Sequence, residues 1–226
     1  MAMTEDEKVQ ISLAQTAYQK IEELIVTRAL KPGIMISEKQ LAEEVGCGRT
    51  PVREAIQRLR LEGYIEIHPS RGIQVSKLDI LRQFELLEVR RPLEDLMVRL
   101  AAERATHAER EMMIKLSETL AAAATKRDLK AYLTANRSIH ETLAQASHNN
   151  VLINSLGVVH GLSRRFWYAT IEDEDVFEEA ARLHGKTLAA TASRDIEAAA
   201  KRAAEFLDFL ERLTRKKLNE RVSGLS

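Results

Sequence analysis

Apolar residues in the first third of the chain form three short helical patterns and then switch to alternation. Leu13, Ala17, Ile21, Leu24 and Ile25 recur at three- to four-residue spacing, which predicts an amphipathic helix. Lys31-Pro32-Gly33 ends it, and residues 1 to about 10 read as a polar tail ahead of it. Ser37 suits the N-cap of a second pattern, Leu41, Ala42 and Val45, with Gln40 in the reciprocal capping position. Gly46 stops that pattern by permitting a left-handed turn. A third pattern, Val52, Ala55, Ile56 and Leu59, opens at Arg49-Thr50-Pro51, where Thr50 suits the N-cap and Pro51 the first helical position. After Gly63 the period drops to two. Tyr64-Ile65-Glu66-Ile67 and Ile73-Gln74-Val75 predict strands around the hairpin His68-Pro69-Ser70-Arg71-Gly72.

Beyond Ser76 the alternation does not return. Helical patterns cover roughly 79–105, 108–125, 127–147, 149–170, 173–191 and 193–219. They break at Thr106-His107, Lys126-Arg127, His148-Asn149, Glu172-Asp173 and Ser193-Arg194, and no internal repeat is evident. The change of character predicts a mostly α chain of two domains, 1–78 and 79–226, the second an all-helical bundle of about six helices.

With 226 residues, 45% of them apolar, the chain can bury one large core or two modest ones. Lys plus Arg and Asp plus Glu both number 34, so any basic surface must be local. From Cys47 to Lys77, six basic residues (Arg49, Arg53, Arg58, Arg60, Arg71, Lys77) outnumber three acidic ones (Glu54, Glu62, Glu66). A single cysteine excludes an intrachain disulfide and suits a reducing compartment. No apolar run is long enough to cross a bilayer, and MAMTEDEKVQ is unlike a signal peptide, so the expectation is a cytoplasmic protein with no membrane role.

The local basic excess falls on a distinctive frame. Two helices meet at a glycine turn, the second opens on Arg-Thr-Pro, and a basic hairpin follows. This is the sequence form of a winged helix-turn-helix, whose second helix places its N-terminal side chains in the major groove. Arg49 and Arg53 suit guanine edges, Thr50 and Lys39 suit phosphates, and Arg71 with Gly72 at the hairpin suits a minor groove. A solvated charged face on an ordinary bundle is the bland alternative. The conjunction of cap, turn glycine, Arg-Thr-Pro start and basic hairpin argues against it.

Pro32-Gly33, Leu41-Ala42, Arg49-Thr50-Pro51-Val52-Arg53-Glu54-Ala55, Leu59, Glu62-Gly63 and Pro69-Ser70-Arg71-Gly72 together resemble the signature of the GntR family of bacterial transcription regulators. Glu88-Val89-Arg90-Arg91-Pro92-Leu93-Glu94, followed by Ala101-Ala102, resembles the opening of the FCD effector domain found in its FadR-like branch. One departure is local: Cys47-Gly48 stands where the family usually has Val-Ser, so a hydroxyl is lost. The resemblance implies a sequence-specific DNA-binding regulator, most often a repressor. It implies a homodimer on a near-palindromic operator, controlled by a small organic-acid effector such as a carboxylate bound in the helical domain.

The resemblance also implies a divalent metal, zinc- or nickel-like, held by an Asp, a His four residues later and two further His. Here Asn136 stands at the Asp position, His140 four residues on, His184 at the next His and Phe206 at the last. Stable sites use three or four ligands. His140 and His184 are then weakened metal ligands with Asn136, the lining of a metal-free effector pocket, or satisfied interior histidines. Arg90 and Arg164 are further candidates for an effector carboxylate, through bidentate hydrogen bonds, or for ordinary ion pairs with a neighbouring Glu. Trp167 and Tyr168 suit pocket or packing.

Enzyme signatures fail on inspection. His140-Glu141-Thr142-Leu143-Ala144 begins like HExxH but ends in Ala144, and no P-loop, dinucleotide fingerprint or nucleophile elbow is present. The chain is therefore not expected to be an enzyme. The alternatives are a helical metal-dependent or small-molecule enzyme with a helix-turn-helix-like start, and a DNA-binding protein without an effector. Glu172 to Asp175 is an acidic run suited to a helix start.

Overall fold

A computed structural model describes residues 5–69, 71–170 and 174–223. They fall into two units, Met1–Asp79 with Arg164–Ala169, and Ile80–Ser163 with Thr170–Ser226. Ser70, Glu172 and Asp173 lie outside the described residues; of the acidic run only Glu174 and Asp175 are described, and they open a helix, Glu174–Ala192.

The first unit contains α1 (Glu5–Val26), β1 (Met35–Ile36), α2 (Glu38–Val45), α3 (Arg49–Leu61), β2 (Ile65–His68) and β3 (Gly72–Val75). α1 begins at Glu5, so residues 5–10 are helical where the sequence suggested a tail; Glu, Lys and Gln there are adequate helix formers. The core takes most of the predicted stripes: Ala17, Ile21 and Ile25 of α1, Leu41 and Val45 of α2, and Val52, Ala55, Ile56 and Leu59 of α3; Leu13 is exposed instead, and Leu24 and Ala42 are half-buried. Burying each larger aliphatic side chain contributes about 1.5–3 kcal/mol.

Capping fixes how α2 meets α3. Gln40 N donates to Ser37 Oγ at 3.2 Å and Ser37 N donates to Gln40 Oε1 at 2.9 Å. Gly46 takes φ 60° at the other end, and Lys20 Nζ donates to Val45 O at 2.7 Å. The start of α3 differs from expectation. Its N-cap is Gly48, which offers no side-chain bond, so Thr50 does not cap and lies with Pro51 inside the first turn. Proline is tolerated there because first-turn N–H groups lack intrahelical acceptors in any case.

The strands form one antiparallel sheet in the order β1-β3-β2. β1, only two residues long, carries too little alternation to be seen in the sequence. It pairs Ile36 with Ile73. Gly72 takes φ 107°, and a Cβ there would stand 3.1 Å from Ile36 O, so the approach of β1 to β3 demands glycine.

The second unit contains α4 (Ile80–Arg104), α5 (His107–Thr125), α6 (Leu129–Ala146), α7 (Asn150–Thr170, its Arg164–Ala169 turn grouping with the first unit), α8 (Glu174–Ala192) and α9 (Ile196–Ser223). The six predicted helical patterns appear with ends shifted by a few residues. α4 packs on α9, α5 on α6 and α8, and α8 on α9. Thr106 starts α5 with a capping box to Glu109. The breaks after α5, α6 and α8 use no glycine: Arg127, His148 and Arg194 take φ 56°, 49° and 65°.

The buried stripe of α4 runs Gln83, Leu87, Arg90, Glu94, Met97, Val98, Ala101 and Ala102. Three polar residues thus stand where an ordinary core helix would be apolar, and this stripe positions the interior site.

Candidate DNA-reading face and interior polar cluster

α3 turns Val52, Ala55, Ile56 and Leu59 inward, which leaves Arg49, Arg53, Gln57 and Arg60 exposed on its other side. Arg49 and Thr50 occupy the first turn and are both exposed. Arg53 donates from Nε at 3.2 Å and Nη2 at 3.0 Å to Glu38 Oε2, the first residue of α2. Lys39 is exposed, 3.8 Å from Glu43. Arg71 is exposed at the hairpin, and Gly72 is half-buried beside β1. Sequence reasoning missed Glu38, although a carboxylate opening one helix of a helix-turn-helix is a visible signal.

Not all of the local positive charge is available. Arg58 donates to Glu62 Oε1 at 2.8 Å and to Gln15 at 2.8 Å, with its guanidinium 3.9 Å from the Tyr18 ring centroid. Tyr18 OH donates to Glu62 Oε2 at 2.6 Å. Arg58 is therefore spent on bracing α3 against α1. Cys47 is half-buried in the turn, its Sγ 3.5 Å from Val45 O.

The second unit holds a different arrangement. Arg90, 2% exposed, donates from Nε to Glu94 Oε1 at 2.7 Å and from Nη1 to Ser163 Oγ at 2.7 Å. Its Nη2 lies against the same Glu94 oxygen. Gln83 Nε2 donates to Ser163 Oγ at 3.0 Å, and His160 Nε2 lies 3.0 Å from Glu94 Oε1. The His140 ring sits 4.1 Å from His160 and 5.1 Å from His184, centroid to centroid. Asn136 Nδ2 lies 3.0 Å from His184 Nε2, and Phe206 lies 4.0 Å from the His184 ring.

The charges in this cluster are set by competing effects. Burial pushes the Glu94 carboxyl up, but Arg90 and the His160 hydrogen bond outweigh it and hold the group down at about 2. Burial pushes His184 down to about 3, with Arg90 and His160 adding to the shift against Glu94. At neutral pH Glu94 is ionised and His184 is neutral. A neutral His184 accepts the Asn136 amide proton at Nε2 and so carries its own proton on Nδ1.

Four of the five predicted effector residues, Arg90, Asn136, His140 and His184, converge here. Arg164 does not. It belongs to the turn of α7 that groups with the first unit, where Nη2 donates to Glu22 Oε1 at 2.5 Å. Glu22 is 4% exposed and also accepts from Tyr64 OH at 3.3 Å, so this buried carboxylate needs a cation. Trp167 is buried in the same unit, edge-on to Phe166 at 5.2 Å. Glu94, Ser163 and Gln83 were missed, and His160, which the sequence offers as a substitute ligand with no spacing to support it, joins the cluster through Glu94. The spacing of Arg90 and Glu94, i and i+4, did put both on one face of α4, but only burial reveals that the face points inward.

The residues do not fit the metal that the resemblance implies. The Asn136 amide is spent on the Nε2 lone pair of His184, the other ring nitrogen then carries the proton, and Phe206 covers the His184 ring. Among the described residues, the group with metal-ligand atoms within 4.8 Å of one another is instead Glu94, His140 and His160. There the Glu94 oxygen already faces Arg90 and His160, and a dication would sit beside a guanidinium.

Comparisons with known proteins place both halves. The model of bacterial regulatory proteins of the gntR family matches residues 13–75, and the FCD domain model matches residues 85–209. The HTH-type transcriptional regulator McbR of Escherichia coli is 28% identical over 190 residues, 83% of this chain and 86% of that protein. The uncharacterized HTH-type transcriptional regulator YdhC of Bacillus subtilis is 32% identical over 146 residues, 64% of this chain and 65% of that protein, a little under two thirds of its length. The Glc operon transcriptional activator of Escherichia coli is 28% identical over 180 residues, 71% of each chain. The solved structure of Escherichia coli McbR/YncC matches with a TM-score of 0.78 at 26% identity, covering 91% of this chain and 98% of that one.

Proposed function

The chain belongs to the gntR family of bacterial regulatory proteins, with an FCD domain as its second part, and we propose that it is a repressor released by a small organic acid. It is a DNA-binding transcription regulator, as its relatives are, and not an enzyme. α3 enters the major groove with Arg49 and Arg53 on guanine edges, Thr50 and Lys39 meet phosphates, and Arg71 with Gly72 reaches a minor groove. A homodimer presents two such heads to a near-palindromic operator in the cytoplasm.

The effector pocket is the interior cluster of Arg90, Asn136, His140 and His184, and it works without a metal. The observation that carries this reading is the burial of a complete ion pair, Arg90 with Glu94, among imidazoles inside a helical unit. Apolar side chains of similar volume would serve stability there at least as well. An effector carboxylate competes with Glu94 for the Arg90 fork, with Asn136 and the imidazoles supplying further hydrogen bonds. Unequal binding to two states then lowers operator affinity.

The test is a thermal-shift survey of the purified protein against a panel of small mono- and dicarboxylates, paired with metal analysis of protein prepared without chelator. The expected result is a shift that rises with carboxylate concentration, substoichiometric metal, and loss of the shift in Arg90→Met. Near-stoichiometric metal, or a shift that survives Arg90→Met, defeats the reading.

A further inference from the structure

The ion pair between Glu38 and Arg53 does more than decorate the surface of the first unit. Glu38 opens α2 directly after its capping box, so its backbone is fixed by the Ser37–Gln40 exchange. Its Oε2 takes both Arg53 Nε and Arg53 Nη2. Those two donors form the side edge of the guanidinium. The end edge, made by Nη1 and the second Nη2 proton, is left for another bidentate partner, and guanine O6 with N7 has the spacing to take it. The side chains are 65% and 43% exposed, a setting in which an ion pair contributes little to stability. A carboxylate there also opposes the approach of a polyanion.

We propose that Glu38 is a specificity-determining positioning residue, which holds Arg53 with its end edge toward a base and cancels its charge toward phosphate. Arg49, with no ion-pair partner among the described residues, differs in both respects. Its affinity contribution includes phosphate attraction that every sequence offers, whereas Arg53 with Glu38 is nearly neutral at long range and contributes through base contact. The pair converts an arginine from an indiscriminate binder into a discriminating one. This rests on the placement of α3 in the major groove proposed above.

The experiment is in vitro selection from a randomised duplex library with the full-length protein, followed by titration of the selected duplex and a scrambled duplex at several salt concentrations. It compares the parent with Glu38→Ala, Glu38→Gln, Arg53→Ala and Arg49→Ala. The expected result is that Arg53→Ala and Glu38→Ala erase preference at the same base pair of each half-site, by about tenfold, while the pair read by Arg49 stays specified. Glu38→Ala and Glu38→Gln bind scrambled duplex several-fold more tightly, with a log–log salt slope steeper by about one. Retention of every base preference in Glu38→Ala, with an unchanged slope, overturns the proposal. If Arg53→Ala loses no base preference while the parent still selects a consensus, the inference falls and the regulator stands. Failure of the parent to select any consensus overturns both.

Discussion

The two units each contain an arginine–glutamate pair, and the pairs have opposite physical characters. Arg53 and Glu38 meet on the surface at 3.0 Å, in the open. Arg90 and Glu94 meet at 2.7 Å with their side chains 3% and 4% exposed. In water the first pair contributes little to stability, and it leaves the end edge of the Arg53 guanidinium free for the base contact proposed above. In the interior the second pair has no solvent to fall back on, so only a ligand of matching chemistry can replace a partner. On the functions proposed above, the same two residue types make a reader in one place and a lock in the other.

Breaking the lock has the largest expected effect. Glu94→Ala leaves Arg90 buried without its carboxylate and is expected to cost about 3–5 kcal/mol in urea unfolding. The double variant Arg90→Met with Glu94→Leu is expected to be closer to the parent than the single one. If Glu94→Ala unfolds like the parent, the pair is not buried as described.

Acid should weaken the helical unit. His184 ordinarily titrates at 6.5 and is held at about 3 in the folded protein, so between those values the unfolded chain binds a proton that the native chain does not. Stability is therefore complete above the unfolded value and falls as pH drops through the window, by up to about 1.4 kcal/mol per unit. Glu94, held at about 2, adds a loss of the same sign below its ordinary value of 4.5. Unfolding at pH 7.5 and 5.0 should show this dependence in the parent and a flatter one in His184→Gln. An equal dependence in both would remove His184 as its source.

On the reading face, Arg49→Ala is expected to weaken operator binding by about 1–3 kcal/mol and to relax one base pair, measured by anisotropy on the selected duplex. Parent-like affinity would exclude Arg49 as a base reader. The smallest effect expected is on stability in Glu38→Ala, within about 1 kcal/mol of the parent by urea unfolding. A loss of several kcal/mol there would mean that the surface pair resembles the buried one after all, and the contrast between the two units would collapse.

Much of this was legible along the chain because its signals are local. Helix stripes, the Ser37–Gln40 box and the left-handed glycine at Gly46 all depend on residues within four positions of one another. The breaks at Arg127, His148 and Arg194 were also placed, because polar residues interrupt the stripes there even without glycine. The N-cap of α3 was misplaced by two residues, since Thr50 and Gly48 are both acceptable caps and the turn geometry chose between them. β1 escaped notice because a two-residue strand exists only through its pairing with β3.

The order of the helices and of β2 and β3, and the identity of the α3 side chains that face away from the core, were determined by the sequence alone, since periodicity and capping are short-range. Which polar residues share an interior was decided by tertiary structure. His184 and Asn136 are 48 positions apart, and His160 and Glu94 are 66 apart. Arg164, one residue beyond Ser163, groups instead with the first unit and pairs there with Glu22. Periodicity can place a residue on a helix face, but only the packing of helices distant in sequence determines what that face meets.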